Sequence, residues 1–171
     1  PSFVVDINRL SNVTCFGSTT GSISFGFSAS TPYTGNYNYE VFQSSGTTTG
    51  ITGNNVTGVT TVSNLAAGTY YARLTMVATP FCPVQSSNIT IEAPAAALTF
   101  TSTIGEIDCT GGNNGSITVN ATGGWGSYQY QLESTGGTVL TAYTATNIFN
   151  GLSANTYVVR VRDANGCIVT N

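Results

Sequence analysis

The 171-residue chain carries only 6% charged residues, a net charge of −3, four Arg, 29 Thr, and neither Lys nor His. Four scattered Arg make no basic patch, which argues against nucleic acid as a partner, and no run of 18 apolar residues exists to insert into a membrane. A 40% apolar share with little charge is the opposite of a disordered composition.

In chain order, "FVVDINRLSNVTC" is an alternating segment ending at Cys15. The start at "PSFVVDINRL" shows no signal peptide and reads as that of a mature or excised fragment. "GSISFGF" follows, with Ile23 and Phe25 on one face, a period-two pattern that predicts a half-buried strand. "YNYEV" at 37–41 is a third such segment. In "GTYYARLTMV", Tyr70, Ala72, Leu74 and Met76 share one face, opposite Tyr71, Arg73 and Thr75. "NITI" at 88–91 closes the first half, and Glu92-Ala93-Pro94 forms a short connector stiffened by proline.

The second half repeats the first. "ALTFTSTIGEIDC" mirrors the opening, and Cys109, Gly115, Ser116 and Ile117 match Cys15, Gly21, Ser22 and Ile23 at an offset of 94 residues. "YQYQL" at 128–132 matches 37–41 at 91, "GLSANTYVVRV" at 151–161 matches 64–74 at 87, and Cys167 matches Cys82 at 85. The shrinking offset places extra residues of the first copy between apolar blocks, where surface loops tolerate them. Asn114-Gly115, Asn150-Gly151 and Asn165-Gly166 predict turns between strands. About seven short strands per copy predict an all-β fold of two tandem β-sandwich domains, residues 1–93 and 94–171, set end to end, with a closed barrel as the second choice. After Cys167 only "IVTN" remains, against "PVQSSNITIEAP" after Cys82. The expectation is a second domain without its last strand, whose open edge invites strand addition by another segment.

Candidate chemistry is sparse. Two cysteines per copy point to an oxidising compartment, with disulfides favoured over free buried thiols and over zinc, which needs closely spaced Cys or His. Nucleophilic catalysis lacks a His base, and no acidic pair recurs in both copies as glycoside hydrolysis would require. No enzyme, cofactor or metal is expected. "DANG" at 163–166 offers Asp163 and Asn165 as oxygen ligands, but without the distal acids of a calcium loop a turn is favoured. Trp125 in "GGWGSY", with Tyr128 beside it and Tyr33 at the corresponding place of the first copy, is a candidate for stacking on a sugar ring, or for packing. Arg73 and Arg160 share one outward position and are either a solvated face or a repeated contact with a neighbouring module. Five sequons begin at Asn12, Asn55, Asn88, Asn114 and Asn120, in keeping with an Asn- and Thr-rich composition.

The pattern "C.G...GSI", "Y.Y", "GL.A.TY.V.V.DANGC" resembles the SprB repeat, found in large surface adhesins of gliding Bacteroidetes and in related secreted proteins. The second copy fits it best; the first has "ATPFC" for "DANGC". The resemblance implies Ig-like sandwiches, type IX export, cell-surface location, and adhesion or filament building rather than catalysis. It implies Cys15, Cys82, Cys109 and Cys167 as paired staples, Cys15–Cys82 and Cys109–Cys167, each closing one domain. A staple over 66 residues would lock in about 220 Å of extensible chain. Partners would be neighbouring repeats, filament subunits or surface glycans. A carbohydrate-binding module of a secreted protein is the alternative.

Overall fold

The computed structural model describes residues 2–79, 81–108 and 112–171. No helix occurs among them, and every regular element is a strand. The chain divides into two compact units, one of residues 1–13 and 17–93, the other of residues 14–16 and 94–171.

In the first unit, β1 (Val5–Ser11), β2 (Gly21–Phe27) and β5 (Thr60–Leu65) form one antiparallel sheet in the order β1-β2-β5. The facing sheet runs β4 (Thr48–Val56), β3 (Tyr37–Gln43), β6 (Gly68–Met76) and β7 (Pro83–Gln85), with β8 (Ile89–Ile91) also on β6. Alternation explains the core between them. Val5, Ile7, Ile23, Phe25 and Val62 come from one sheet, and Tyr37, Val41, Tyr70, Ala72 and Leu74 from the other. The second unit repeats this with β13 (Ile148–Leu152), β10 (Gly115–Thr122) and β9 (Thr99–Gly105) in one sheet. The other runs β12 (Val139–Thr144), β11 (Gln129–Ser134), β14 (Tyr157–Arg162) and β15 (Ile168–Thr170). Ile117, Val119 and Phe149 face Tyr130, Leu132, Val159 and Val161. Both units are β-sandwiches, as the strand pattern predicts, and Ig-like, as the SprB resemblance implies.

Two of the three Asn-Gly signals mean something other than a turn. Gly151 (φ +72°) sits inside β13, where the register with β10 slips between Gly115 and Ser116. Asn64 (φ +61°) stands at the corresponding slip in β5. The left-handed residue serves a β-bulge in each unit. Gly115 opens β10 rather than turning, and is glycine for space: a Cβ there would lie 2.8 Å from the carbonyl oxygen of Leu152. Asn165-Gly166 is a turn as expected, with Gly166 at φ +82°.

Tyr71 departs from the alternation. It lies on the outer face yet is 7% exposed, because Phe42 stacks on it with ring centroids 5.1 Å apart.

Three phenols are deep enough to couple the fold to alkaline pH. Burial raises Tyr37, Tyr70 and Tyr130 above the ordinary phenol value of 10.0. The Tyr37 hydroxyl donates to the Gly58 carbonyl at 2.7 Å. The folded state favours the neutral phenol, so this stabilisation is complete below pH 10 and is lost as pH rises through the raised folded values. Thermal melts should therefore show falling stability above about pH 10, with these three phenols ionising above the ordinary phenol value while the chain is folded. Absorbance at 295 nm checks this: simultaneous ionisation of all nine Tyr in a still-folded chain would refute it.

Candidate functional site

Trp125, Tyr128, Asp163, Asn165 and Cys167 of the second copy converge on the loops at one end of its sandwich. Asp163, 5% exposed, follows β14 and begins the turn to β15. Its Oδ1 accepts the backbone N–H of Asn165 at 3.0 Å and of Cys167 at 2.9 Å. Its Oδ2 accepts the N–H of Trp125 at 2.9 Å. Both carboxylate oxygens are thus engaged by backbone donors, which is how an Asp organises a turn. Among the described residues no three His, Cys, Asp or Glu converge as metal ligands.

Trp125 is half-buried, and its indole Nε1–H donates to the carbonyl oxygen of Thr14 at 3.0 Å. Thr14, Cys15 and Phe16 belong to the second compact unit. Tyr128 is tied to the same loop, its hydroxyl donating to the Gly123 carbonyl at 2.7 Å. Tyr33 instead packs edge-on against Phe3 and Phe27, with ring centroids 5.8 and 5.0 Å away.

The cysteine pairing is corrected at this place. A disulfide joins Cys15 to Cys167, with Cα atoms 5.3 Å apart and a sequence separation of 152. Cys15 therefore does not pair with Cys82, nor Cys167 with Cys109. Equivalent positions in two copies reveal which residues correspond, not which copy each one meets. Segment 14–16 folds with the Trp125 and Asp163 loops of the second unit, and this brings Cys15 to Cys167. Cys82 is exposed ahead of β7, and Cys109 lies outside the described residues.

The paired arginines occupy one site with two chemistries. The Arg73 guanidinium lies 4.7 Å from the centroid of the Phe42 ring. Arg160 Nε donates to Glu133 Oε1 at 2.8 Å, and Glu133 is the residue that aligns with Phe42. One cross-strand pairing is thus a cation–π contact in the first unit and an ion pair in the second. Each Arg is engaged on its own sheet. Period-two reading located both; it could not supply the partner, because the partner residue changed between copies.

A groove of about 500 Å³ lies on the second unit, away from these loops, between the end of β9 and the start of β14. Ile107, Gly115, Leu152 and Tyr157 are among its lining residues. Motif reading missed it, since no polar signature marks it.

Comparison with known proteins agrees with the repeat reading. Residues 101–138 match the family model described as the SprB repeat, which bears out the resemblance. No curated protein has a matching sequence. Among solved structures, the three N-terminal domains of the bacteriophage RB49 highly immunogenic outer capsid protein are similar at TM-score 0.50 and 12% identity. That alignment covers 99% of this chain and 57% of the capsid fragment, so the chain spans a little over half of that relative, and the likeness concerns the fold alone. Fibronectin(III)-like modules of Clostridium thermocellum CbhA align at TM-score 0.43 and 13% identity, over 98% of this chain and 90% of theirs. A two-domain fibronectin type-III segment of chicken tenascin aligns at TM-score 0.37 and 14% identity, over 99% and 98%.

Proposed function

We propose that the chain is a structural and adhesive repeat module of a secreted surface protein, an adhesin or an extracellular filament, clamped against extension by its disulfide. The observation that carries this reading is the duplicated Ig-like sandwich together with the SprB repeat match at 101–138. A disulfide fits an oxidising, extracellular location. By that resemblance the source is a gliding Bacteroidetes cell exporting the protein through the type IX system, and the partners are neighbouring repeats, filament subunits or surface glycans. No catalytic step belongs to the reading.

The clamp differs from one staple per domain. The bond from Cys15 to Cys167 spans a separation of 152 residues, so tension on the two ends passes through one S–S bond while most of the chain bears none.

The carbohydrate-binding alternative rests on Trp125, whose indole N–H is already engaged by Thr14. Titrating the protein with glycans while following Trp125 fluorescence separates the two readings. No change is expected here; a saturable quench with one glycan class would instead favour the carbohydrate module. For the main reading, antibodies raised against residues 1–171 should label the surface of intact source cells in electron microscopy. Label confined to the cell interior would overturn it.

A further inference from the structure

Cys15 meets one of two cysteines that hold the same place in their copies, Cys82 after "ATPF" and Cys167 after "DANG". It is joined to Cys167, the one farther away in sequence. The two loops differ in what they offer it. Both turns close alike: the Gly166 N–H donates to the Asp163 carbonyl at 3.1 Å, and the Phe81 N–H to the Ala78 carbonyl at 3.0 Å. Ala78 stands where Asp163 stands, so the carboxylate is not what closes the turn.

What the carboxylate adds is aim. Oδ1 accepts the backbone N–H of Cys167 itself, and Oδ2 accepts that of Trp125, each at 2.9 Å. Trp125 passes the restraint on, since its indole N–H donates to the carbonyl of Thr14, the residue before Cys15, at 3.0 Å. One carboxylate therefore holds one cysteine directly and the other through Trp125. The frame is built without residues 14–16. The Gly124 N–H donates to the Ala96 carbonyl at 2.9 Å, and the Ala164 N–H to the Gly126 carbonyl at 3.0 Å. Gly124 has φ +58°, and a Cβ there would lie 2.5 Å from Asp163 Oδ2, so only glycine lets the carboxylate reach. The first copy lacks this frame. Tyr33, at the place of Trp125, spends its hydroxyl on its own loop, donating to the Asn36 carbonyl at 3.2 Å.

We infer that Asp163 and Trp125 are positioning residues for disulfide formation, a template that selects Cys167 as the partner of Cys15. With both backbones held, the Cα atoms stand 5.3 Å apart, inside the range a disulfide spans. The oxidant is a small-molecule disulfide such as oxidised glutathione. One cysteine thiolate attacks it and forms a mixed disulfide, releasing one glutathione thiolate. The second cysteine thiolate attacks the protein sulfur of that mixed disulfide and releases the other. Two protein thiols lose two electrons, two glutathione thiols are formed, and the two protons end on them. The template acts on the second attack, because it keeps the second thiol beside the first and so raises its effective concentration. This goes beyond the proposed function and holds whether the module adheres or only spaces.

The test equilibrates the full reduced chain with mixtures of reduced and oxidised glutathione, in native buffer and in denaturant. Thiols are then trapped, and the partner of Cys15 is read by peptide mapping. In native buffer Cys15 should be found with Cys167 and not with Cys82. Trp125→Phe keeps an aromatic ring and removes the N–H, and should lower the effective concentration of the pair about fivefold or more, the worth of one hydrogen bond. Amide exchange at Val119, Val159 and Val161 reports whether the core stays intact. Gly124→Ala leaves the indole in place and displaces the carboxylate, and should lower the same quantity; it carries the test if Trp125→Phe does not fold. In denaturant, where no template exists, both variants should pair as the parent chain does. An effective concentration unchanged within about twofold in the folded variants would overturn the inference. So would a loss that persists in denaturant, or Cys15 found mainly with Cys82 in the parent chain.

Discussion

Stretched between its ends, the oxidised protein should yield no unfolding step beyond what the few residues outside Cys15 and Cys167 can supply. With reductant, the same pull should release up to about 500 Å more, taking about 3.4 Å per extended residue over the separation of 152. The bond lies in the force path, and everything between its two sulfurs lies outside it. The residues before Cys15 and after Cys167 remain loaded, so β1 is exposed to peeling from β2 and β15 from β14. Solution stability should follow. Closing a loop of this size removes denatured-state entropy worth about 5 kcal/mol in the chain-entropy model, so a Cys15→Ser, Cys167→Ser double variant should shift its denaturant midpoint accordingly. Single-molecule force spectroscopy reads the mechanical part. An unfolding length that does not change with reductant would remove the clamp from the proposed function and leave the fold untouched.

The second large effect belongs to Asp163. Asp163→Ala should cost about 3 kcal/mol or more, because three backbone N–H donors lose one nearly buried acceptor. The damage should reach Trp125, since the same carboxylate holds the Trp125 backbone while the indole holds Thr14. A red shift in Trp emission should therefore accompany the lost stability. Asp163→Asn keeps an acceptor oxygen and should lose less. Equilibrium urea unfolding followed by Trp fluorescence measures both; a cost for the Ala variant below about 1 kcal/mol, near that of a single ordinary hydrogen bond, would show that water replaces the carboxylate.

Much of the fold was legible beforehand because strand physics is local. Alternation places Ile23, Phe25, Leu74, Val159 and Val161 on the core face whatever lies opposite, and all five are buried. Duplication made the reading stronger, since two divergent copies kept the same apolar positions. Turn chemistry was legible at Asp163, whose short carboxylate reaches its own neighbours in sequence. It was misread at Gly115 and Gly151, because glycine reports a need for space or for positive φ without saying whether a turn, a bulge or a close approach creates it.

What the sequence determined by itself is therefore the all-β class, the duplication, the core faces and the family resemblance, each set by neighbours within a few residues or by comparison of one copy with the other. Tertiary structure alone decided the pairing of Cys15 with Cys167, the indole bond from Trp125 to Thr14, the exchange of Phe42 for Glu133 beneath an Arg, and the groove over Gly115. Each of these joins groups distant in sequence, and no local period or composition encodes which distant surface a residue will meet.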